Sequence, residues 1–291
     1  MQKKILVTGA NGQLGKEIRR RGEAYPQFQF VYVDIDDLDL TDADRVSEYI
    51  AGNAFRYIVN CAAYTAVDKA EEDAAHAWKV NCDAILYLAW AARKAGATVI
   101  HISTDYVFDG TSSRPYREDD PVHPQSVYGK SKLAGETALT TYCPQSIIIR
   151  TAWLYSTSGS NFVKTMIRLG KEKDTLTVVS DQRGTPTYAG DLAGAILDII
   201  VHAETHENLP AGVFHYSNEG ETNWYAFAVK IHELAGIRDC NILPVSTADY
   251  PTTAKRPAYS VLDKDKIRQT FRLTIPDWEA SLQTCINELI K

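Results

Sequence analysis

The stretch KILVTGANGQLGKEI, residues 4–18, decides the fold of this chain. A short apolar run is followed by three glycines and then by a helical pattern. Gly9, Gly12 and Gly15 therefore lie between a first strand and a first helix, where glycines permit a tight turn and a close approach to a pyrophosphate. The spacing GxxGxxG differs from the GxGxxG fingerprint. It is thus the position after a strand, more than the glycines themselves, that favours a dinucleotide-binding turn over a structural one.

The rest of the first half alternates short β-branched runs with longer helical patterns, which predicts βαβ units and a parallel, doubly wound sheet. Each run is mostly apolar, as expected of strands covered on both faces. A helical segment, residues 70–95, is closed by Gly96 in a C-cap position. A loop rich in Pro, Ser, Asp and Glu then leads into a helix near Tyr128. The predicted strands are residues 4–8, 29–33, 57–61, 98–103 and 146–151.

Beyond Thr151 the pattern is less regular and rich in turns, although residues 213–217 predict a strand that returns to the main sheet. We predict an α/β fold, a doubly wound parallel Rossmann sheet that binds NAD(P), with a smaller C-terminal substrate-binding lobe. The dinucleotide-binding domain would span residues 1–150, rejoined by about 187–218. The substrate-binding lobe would comprise residues 151–186 and 219–291.

The composition of the chain limits the kinds of partner that it can bind. Its 291 residues carry a formal net charge of −6, which gives no general attraction to nucleic acid or to anionic membranes. The longest mostly apolar stretch, residues 84–92, is too short to span a bilayer. Five scattered cysteines include no CxxC pair and are expected to be buried thiols in a reducing compartment. We therefore expect a cytoplasmic protein, monomeric or homodimeric, that binds a small molecule.

Further cofactor contacts are predicted at the ends of the second and third strands. Asp34 lies about twenty residues beyond the glycine turn, where a carboxylate accepts hydrogen bonds from the adenosine ribose. It would disfavour a 2′-phosphate, which favours NADH over NADPH. Asp39 and Leu40 are candidates for the adenine region, although acids here also suit a solvated turn. The small residues after the third strand would let a dinucleotide lie against the backbone: Cys61, Ala62 and Ala63, followed by Tyr64.

Tyr128 and Lys132 stand four residues apart at the start of a predicted helix, so both project from one face. Free tyrosine has a pKa near 10 and free lysine one near 10.4. An ammonium beside the phenol, with the positive ring of an oxidised nicotinamide, would stabilise the phenolate. We expect Lys132 to lower the pKa of Tyr128 toward about 7. The pair alone is common in helices and does not identify a site.

The fourth strand supplies a third polar group. Its sequence ends in Ser103, Thr104 and Asp105, at the edge where doubly wound sheets bind ligands. The Thr104 hydroxyl could donate to a carbonyl oxygen as negative charge develops there. Formation of a turn is the alternative role for Thr104.

These motifs resemble the extended short-chain dehydrogenase/reductases, through TGANGQLG, STDYVFDG and YGKSKLAGE. Within that group the chain is similar to the dTDP-4-dehydrorhamnose reductases over residues 5–263. The motifs that narrow the resemblance are VNCAAYTAVDKAE, RTAWLY, NFVKTM, DQRGTPT and RPAYSVLD.

The resemblance implies reduction of the 4-keto group of dTDP-4-dehydro-L-rhamnose by hydride from NADPH or NADH, since family members often use both. Tyr128 becomes the general acid, Lys132 its electrostatic and ribose-binding partner, and Thr104 the group that polarises the ketone beside Asp105. Trp153 matches a residue that packs on the sugar ring, a role that competes with simple core packing. The pyrophosphate turn is matched by Asn11, Gly12, Gln13 and Leu14.

The resemblance also raises a metal site and several alternatives. Some members are magnesium-linked dimers, and the nearest matching acids are Glu17, Asp191 and Glu288, although isolated surface acids are usually just solvated. The related 4,6-dehydratases carry a Thr-Asp-Glu run, whereas Thr104 and Asp105 are followed here by Tyr106. Epimerases would retain a tightly bound oxidised cofactor. A regulatory subunit like the beta subunit of methionine adenosyltransferase is the alternative that is not an enzyme.

Overall fold

The computed structural model describes residues 2–206 and 209–290; Met1, Glu207, Asn208 and Lys291, which fall in the predicted domain ranges, lie outside it. The first half runs β1 (Lys3–Thr8), α1 (Gln13–Gly22), β2 (Phe28–Val33), α2 (Ala43–Ala51), β3 (Phe55–Asn60), α3 (Val67–Glu72), α4 (Ala74–Trp78), a π-helical turn (Lys79–Asp83), α5 (Ala84–Ala95), β4 (Thr98–Thr104), a 3₁₀ turn (Asp105–Val107), α6 (Val127–Tyr142) and β5 (Ile147–Thr151).

The second half has shorter strands. It runs β6 (Leu154–Tyr155), α7 (Phe162–Glu172), β7 (Thr175–Val179), β8 (Arg183–Gly184), β9 (Thr187–Tyr188), α8 (Ala189–Thr205), β10 (Gly212–His215), β11 (Thr222–Asn223), α9 (Trp224–Ala235), β12 (Asn241–Val245), a 3₁₀ turn (Thr247–Asp249), α10 (Asp265–Phe271) and α11 (Trp278–Leu289).

Six parallel strands form the main sheet in the order β10-β5-β4-β3-β1-β2. The predicted parallel, doubly wound sheet is confirmed, and each predicted strand is present with ends that differ by one or two residues. The strand order reverses between β1 and β3, which places a ligand crevice at their carboxyl ends. Apolar clusters cover both faces of the main sheet, which explains why the sequences of these strands are nearly continuous apolar runs.

The long helical segment predicted at residues 70–95 is not one helix. The Asp73 side chain accepts a hydrogen bond from the backbone N–H of His76, so one helix ends and another begins there. A π-helical turn then interrupts the second helix. The end of the segment is as predicted, because Gly96 adopts φ +69° at the C-cap of α5.

The second half packs in two ways. Helix α8 packs on α1, and β10 pairs in parallel with β5, so the predicted return of this strand to the main sheet is confirmed. Helix α10 also packs against that side, with Ile267 and Phe271 in the apolar cluster of the main sheet. Helices α7, α9 and α11 form a separate apolar cluster with β7 and β12. The exact domain boundaries remain a prediction.

The structure bears on two predictions from composition, the burial of the cysteines and the lack of a membrane-spanning segment. Cys143, Cys240 and Cys285 are buried as expected, whereas Cys61 and Cys82 are only partly buried; all five are free thiols. Across residues 2–206 and 209–290, none of the helices combines the length and apolar character needed to cross a membrane.

Candidate active site

The glycine turn between β1 and α1 is built around close backbone contacts. Gly9 adopts φ +62°, and a Cβ there would lie 2.7 Å from the backbone nitrogen of Ala62. A Cβ on Gly15 would lie 2.5 Å from the carbonyl oxygen of Gly9, so helix and turn approach as closely as glycine allows. Gly12 donates to the same carbonyl at 3.1 Å. The turn therefore presents bare backbone to the crevice at the end of β1.

Asp34 is tied to this turn. Its Oδ2 accepts from the backbone N–H of Asn11 at 2.7 Å, and its Oδ1 accepts from the backbone N–H of Ile35 at 2.9 Å. The carboxylate thus fixes the turn against the end of β2, and both oxygens keep further lone pairs for a ligand hydroxyl. Asn11 contributes its backbone here and is not part of the wall of either cavity described below.

A cavity of about 430 Å³ lies beside the turn and gathers the predicted adenosine contacts. Its wall includes the backbone-rich segment after β3 and the loop after β2. Asp39 accepts from the backbone N–H and the hydroxyl of Thr41, and these hydrogen bonds hold the pKa of its carboxyl below the usual range. The predicted residues in this wall are Asp34, Asp39, Leu40, Ala62, Ala63 and Tyr64.

A second cavity of about 580 Å³, here called the reaction cavity, shares part of its wall with the first. Gly9, Gly12, Cys61 and Ala63 line both, so the two cavities are adjacent across the glycine turn. The reaction cavity brings together the predicted reactive and substrate-binding residues: Gln13, Leu14, Thr104, Asp105, Tyr128, Lys132 and Trp153. Groups from both halves of the chain therefore face one space.

Tyr128 and Lys132 both line this cavity from α6, which is capped by the Ser126 side chain. Burial raises the pKa of Tyr128 to about 12, against a smaller opposing effect of the Thr104 hydroxyl, so the protein's own groups do not produce the predicted lowering. Lys132 directs its ammonium nitrogen to the carbonyl oxygen of Ile102 at 2.6 Å. Burial lowers the pKa of Lys132 to about 8, although the charge of Glu136 opposes this.

Thr104 ends β4 and caps the short 3₁₀ turn that follows. Its hydroxyl accepts from the backbone N–H of Tyr106 at 3.2 Å and donates to Asp105 Oδ1 at 3.1 Å. Thr104 thus has the structural role that sequence left open, while its hydroxyl remains in the cavity wall beside Tyr128. Burial raises the pKa of the Asp105 carboxyl to about 6, with the Ser260 and Thr104 hydroxyls opposing the shift.

Trp153 lines the cavity just beyond the end of β5. Its indole stacks on that of Trp224, with ring centroids 3.6 Å apart and planes at 13°. A Cβ on Gly184 would lie 2.7 Å from the Trp153 ring, so this glycine makes room for the indole. Trp153 also adopts φ +48°, a conformation that bulky residues rarely hold without a compensating environment.

Several residues of the site escaped the sequence analysis. Trp224 and Asn161 line the reaction cavity from the second half, and Asn161 Nδ2 donates to Gln13 Oε1 at 2.9 Å. Tyr106 packs edge-on against the ring of Tyr128, with centroids 5.5 Å apart. The NFVKTM and STDYVFDG motifs already contained Asn161 and Tyr106. Trp224 lies outside every motif and is brought in only by the packing of α9.

The acids considered for magnesium are paired with protein groups. Arg20 binds Glu17 at 2.8 Å and Glu288 at 2.9 Å, so a guanidinium lies between the two carboxylates. Asp191 accepts from Asn218 and from Ser281. In the part of the chain that the structure describes, no three His, Cys, Asp or Glu residues are grouped as metal ligands. These acids do not fit a metal site, and the magnesium expectation is not supported.

Comparison with known proteins places this geometry among nucleotide-sugar enzymes. Residues 3–291 match the family model described as RmlD substrate binding domain. The dTDP-4-dehydrorhamnose reductase of Aggregatibacter actinomycetemcomitans is 42% identical over 285 residues, covering 96% of this chain and 97% of that protein. The spore coat polysaccharide biosynthesis protein SpsK of Bacillus subtilis is 39% identical, covering 98% of this chain and 97% of that protein.

Solved structures agree. The crystal structure of a dTDP-4-dehydrorhamnose reductase from Clostridium acetobutylicum has a TM-score of 0.93 and 44% identity, covering 99% of this chain and 100% of that one. The Bacillus anthracis dTDP-4-dehydrorhamnose reductase, solved in complex with NADP, has a TM-score of 0.93 and 38% identity with the same coverage.

Proposed function

The chain belongs to the RmlD substrate-binding-domain family, and from this premise we propose that it reduces the 4-keto group of dTDP-4-dehydro-L-rhamnose to give dTDP-L-rhamnose. It is an NAD(P)H-dependent oxidoreductase. The observation that carries the proposal is the continuity of the two cavities across the glycine turn. A dinucleotide in the first cavity would reach the second, where Thr104, Tyr128 and Lys132 lie.

The residues of the turn fit a dinucleotide. Side chains at Gly9 or Gly15 would collide with backbone atoms, so the turn is closed to anything larger than glycine. The exposed backbone at the start of α1 suits a pyrophosphate, because helix N-termini attract anions. When bound, NADPH or NADH would supply the hydride that is added to C4 of the sugar. The NADP complex of a relative favours the phosphorylated form, whereas Asp34 favours NADH, so we retain both.

Tyr128 is suited to give a proton in the reductive direction. A general acid must hold its proton until the carbonyl oxygen becomes basic, and a pKa near 12 keeps the phenol protonated at neutral pH. As negative charge develops on the oxygen bound to C4, the Tyr128 O–H bond breaks and a new O–H bond forms on the sugar. The phenol thus has a proton to give, although a pKa of about 12 makes it a weaker acid than the one near 7 expected from sequence.

Thr104 and Lys132 have different tasks in this proposal. The Thr104 hydroxyl lies beside Tyr128 and would donate to the same developing oxyanion. It would exchange its present bond with Asp105 for one with the substrate. Lys132, anchored on the Ile102 carbonyl, would bind the nicotinamide ribose with its remaining hydrogens. Lowering of the Tyr128 pKa by Lys132 together with an oxidised nicotinamide remains a prediction.

Trp153 is proposed to cover one face of the deoxysugar. Trp224 stacks on its indole and Gly184 lies against the same ring, and the part of Trp153 that lines the cavity would meet the sugar. An aromatic face packs well against sugar C–H groups. Asp105, beside Thr104, would accept hydrogen bonds from sugar hydroxyls. In these assignments Thr104, Tyr128 and Lys132 carry the chemistry, and Asp105 and Trp153 hold the sugar.

The test is direct. The purified chain is mixed with NADPH or NADH and dTDP-4-dehydro-L-rhamnose, and cofactor absorbance is followed together with the sugar product. We expect stoichiometric cofactor oxidation and dTDP-L-rhamnose. Cofactor that stays tightly bound and oxidised, with a stereoisomer as product, would indicate an epimerase. Absence of oxidation at saturating substrate would contradict the proposal and favour a regulatory subunit.

A further inference from the structure

A chain of buried polar groups runs under the cavity floor from the glycine turn to Lys132. It begins at Thr8, the residue before Gly9, and passes through Asn60 at the end of β3 and His101 in β4. Thr8 Oγ1 donates to Asn60 Oδ1 at 2.6 Å, and Asn60 Nδ2 lies 2.9 Å from His101 Nδ1. His101 Nε2 lies 3.4 Å from Lys132 Nζ. All four side chains are at most 1% exposed.

The direction of the hydrogen bonds in this chain is fixed at Asn60. The backbone N–H of Ala62 points at Asn60 Oδ1 at 3.3 Å, and a backbone N–H can only donate. This atom must therefore be the amide oxygen, which also accepts from Thr8. The other end of the amide is the NH₂ group, and it donates to His101 Nδ1. If the amide oxygen and nitrogen of Asn60 were exchanged, its NH₂ group would face the N–H of Ala62, and neither group could accept.

The ring tautomer of His101 follows from this. A neutral imidazole carries one proton, and Nδ1 must accept from Asn60, so the proton is on Nε2. His101 remains neutral because burial holds its pKa well below the usual range. The Nε2–H is directed toward Lys132 Nζ. An ammonium has no lone pair to accept it, whereas a neutral amine does.

We propose that His101 is a positioning residue of this reductase, whose Nε2–H is directed at Lys132 Nζ while Thr8 and Asn60 hold the ring in that tautomer. The proposal deepens the proposed function and rests on it for its kinetic consequences. In its neutral form Lys132 would accept from His101 and donate to the Ile102 carbonyl, so that two successive residues of β4 hold the nitrogen; in its ammonium form it keeps the bond to Ile102 alone. His101 touches neither cavity wall and acts only through Lys132.

The contact between His101 and Lys132 shifts the pKa of Lys132 in a definite direction. An N–H that faces Lys132 disfavours the ammonium form, in the same direction as burial. The ionisable groups that act on Lys132 are Glu136, one turn further along the same helix, and Cys61 after β3, and both favour the charged form. Tyr128 precedes Lys132 by one helical turn. Replacement of the His101 N–H by an acceptor should therefore raise the pKa of Lys132.

The tautomer can be measured without any substrate. Nitrogen-15 spectra of the histidine-labelled full chain at pH 7, assigned by loss of signals in His101→Gln, should show His101 as the neutral Nε2–H form. An Nδ1–H form or a protonated ring would overturn the proposal. Because this experiment needs no turnover, it stays informative even if the chain fails to reduce the proposed substrate.

The kinetic test uses the pH dependence of kcat/KM in three variants. His101→Gln offers an amide oxygen to Lys132, and we expect its basic limb to move up by about one pH unit. His101→Asn keeps the link to Asn60 but drops the contact with Lys132, so its limb should move up less. The exposed His123→Gln is the control and should leave the profile unchanged. A basic limb that stays in place or moves down in His101→Gln would overturn the proposal.

Discussion

The two sides of the reaction cavity are built by different means. One side, the sheet wall, consists of Thr104, Tyr128 and Lys132, which regular backbone and buried hydrogen bonds hold in place. The other, the aromatic wall, consists of Trp153 and Trp224, held by ring stacking, with Trp153 in a rarely adopted backbone conformation. The difference suggests that proton chemistry depends on the rigid wall and sugar recognition on the packed one.

Loss of the acid on the sheet wall should have the largest effect. In Tyr128→Phe the ring still packs against Tyr106, but no proton is available to the C4 oxygen. We expect kcat to fall by about 10²- to 10⁴-fold, with cofactor affinity unchanged. Steady-state kinetics and cofactor titration measure the two effects. Tyr142→Phe, an exposed tyrosine of the same helix, is the matched control. A near-normal kcat would remove Tyr128 from the mechanism.

The sheet wall should also be the more fragile side in stability. Behind it Arg150 binds Glu136 at 2.7 Å, both at most 5% exposed by side chain, and Ser103 donates to the same carboxylate. Arg150→Met would leave a buried charge unpaired and should lower the free energy of unfolding by about 3–5 kcal/mol. Urea unfolding measures it. The double variant Arg150→Met/Glu136→Leu should recover most of the loss; if it does not, packing rather than charge is responsible.

Asp105 should make the stability of the sheet wall depend on pH. Its pKa is raised by burial from 3.8 to about 6, so its contribution is fully present below pH 3.8 and is lost as pH rises through 6. The loss attributable to this group is about 3 kcal/mol. Urea unfolding at pH 4.5 and 7.5 should show a smaller fall in Asp105→Asn than in the original chain. Equal falls in the two proteins would contradict this assignment.

The aromatic wall should respond through substrate binding. Trp153→Leu removes the stack on Trp224 and the proposed surface for the sugar ring. We expect KM to rise about tenfold, equivalent to about 1.4 kcal/mol, with a smaller change in kcat. Steady-state kinetics test this against Trp90→Leu, an exposed tryptophan on α5. A fall in kcat with unchanged KM would mean that the two walls do not divide the work as proposed.

The smallest effect is expected from metal removal. Arg20 already neutralises Glu17 and Glu288, so a divalent cation has no open carboxylate pair there. Dialysis against EDTA should leave the rate of cofactor oxidation and the thermal midpoint unchanged. Loss of activity that magnesium alone restores would show that the arginine does not replace a metal.

The sheet wall could be predicted from sequence better than the aromatic wall. The glycine turn, the strands and the Tyr128 and Lys132 pair follow from local patterns, because they belong to regular βαβ units. The stack of Trp153 on Trp224 joins residues far apart in sequence through packing that has no local signal. The raised pKa of Tyr128 was missed because burial depends on the folded surroundings, whereas the argument from spacing considered only the neighbouring charge. His101 was read as part of an apolar strand.

The hydrogen bond between Gln13 and Asn161 has a consequence for the catalytic cycle. It joins the glycine turn to the loop before α7, and both residues line the reaction cavity. The contact therefore lies beside the space that a dinucleotide on the glycine turn would fill. One such bond contributes only about 0.5–1.5 kcal/mol. The glycine turn and the loop before α7 are thus joined by a contact weak enough to break and re-form in every turnover, and the two segments are not locked together.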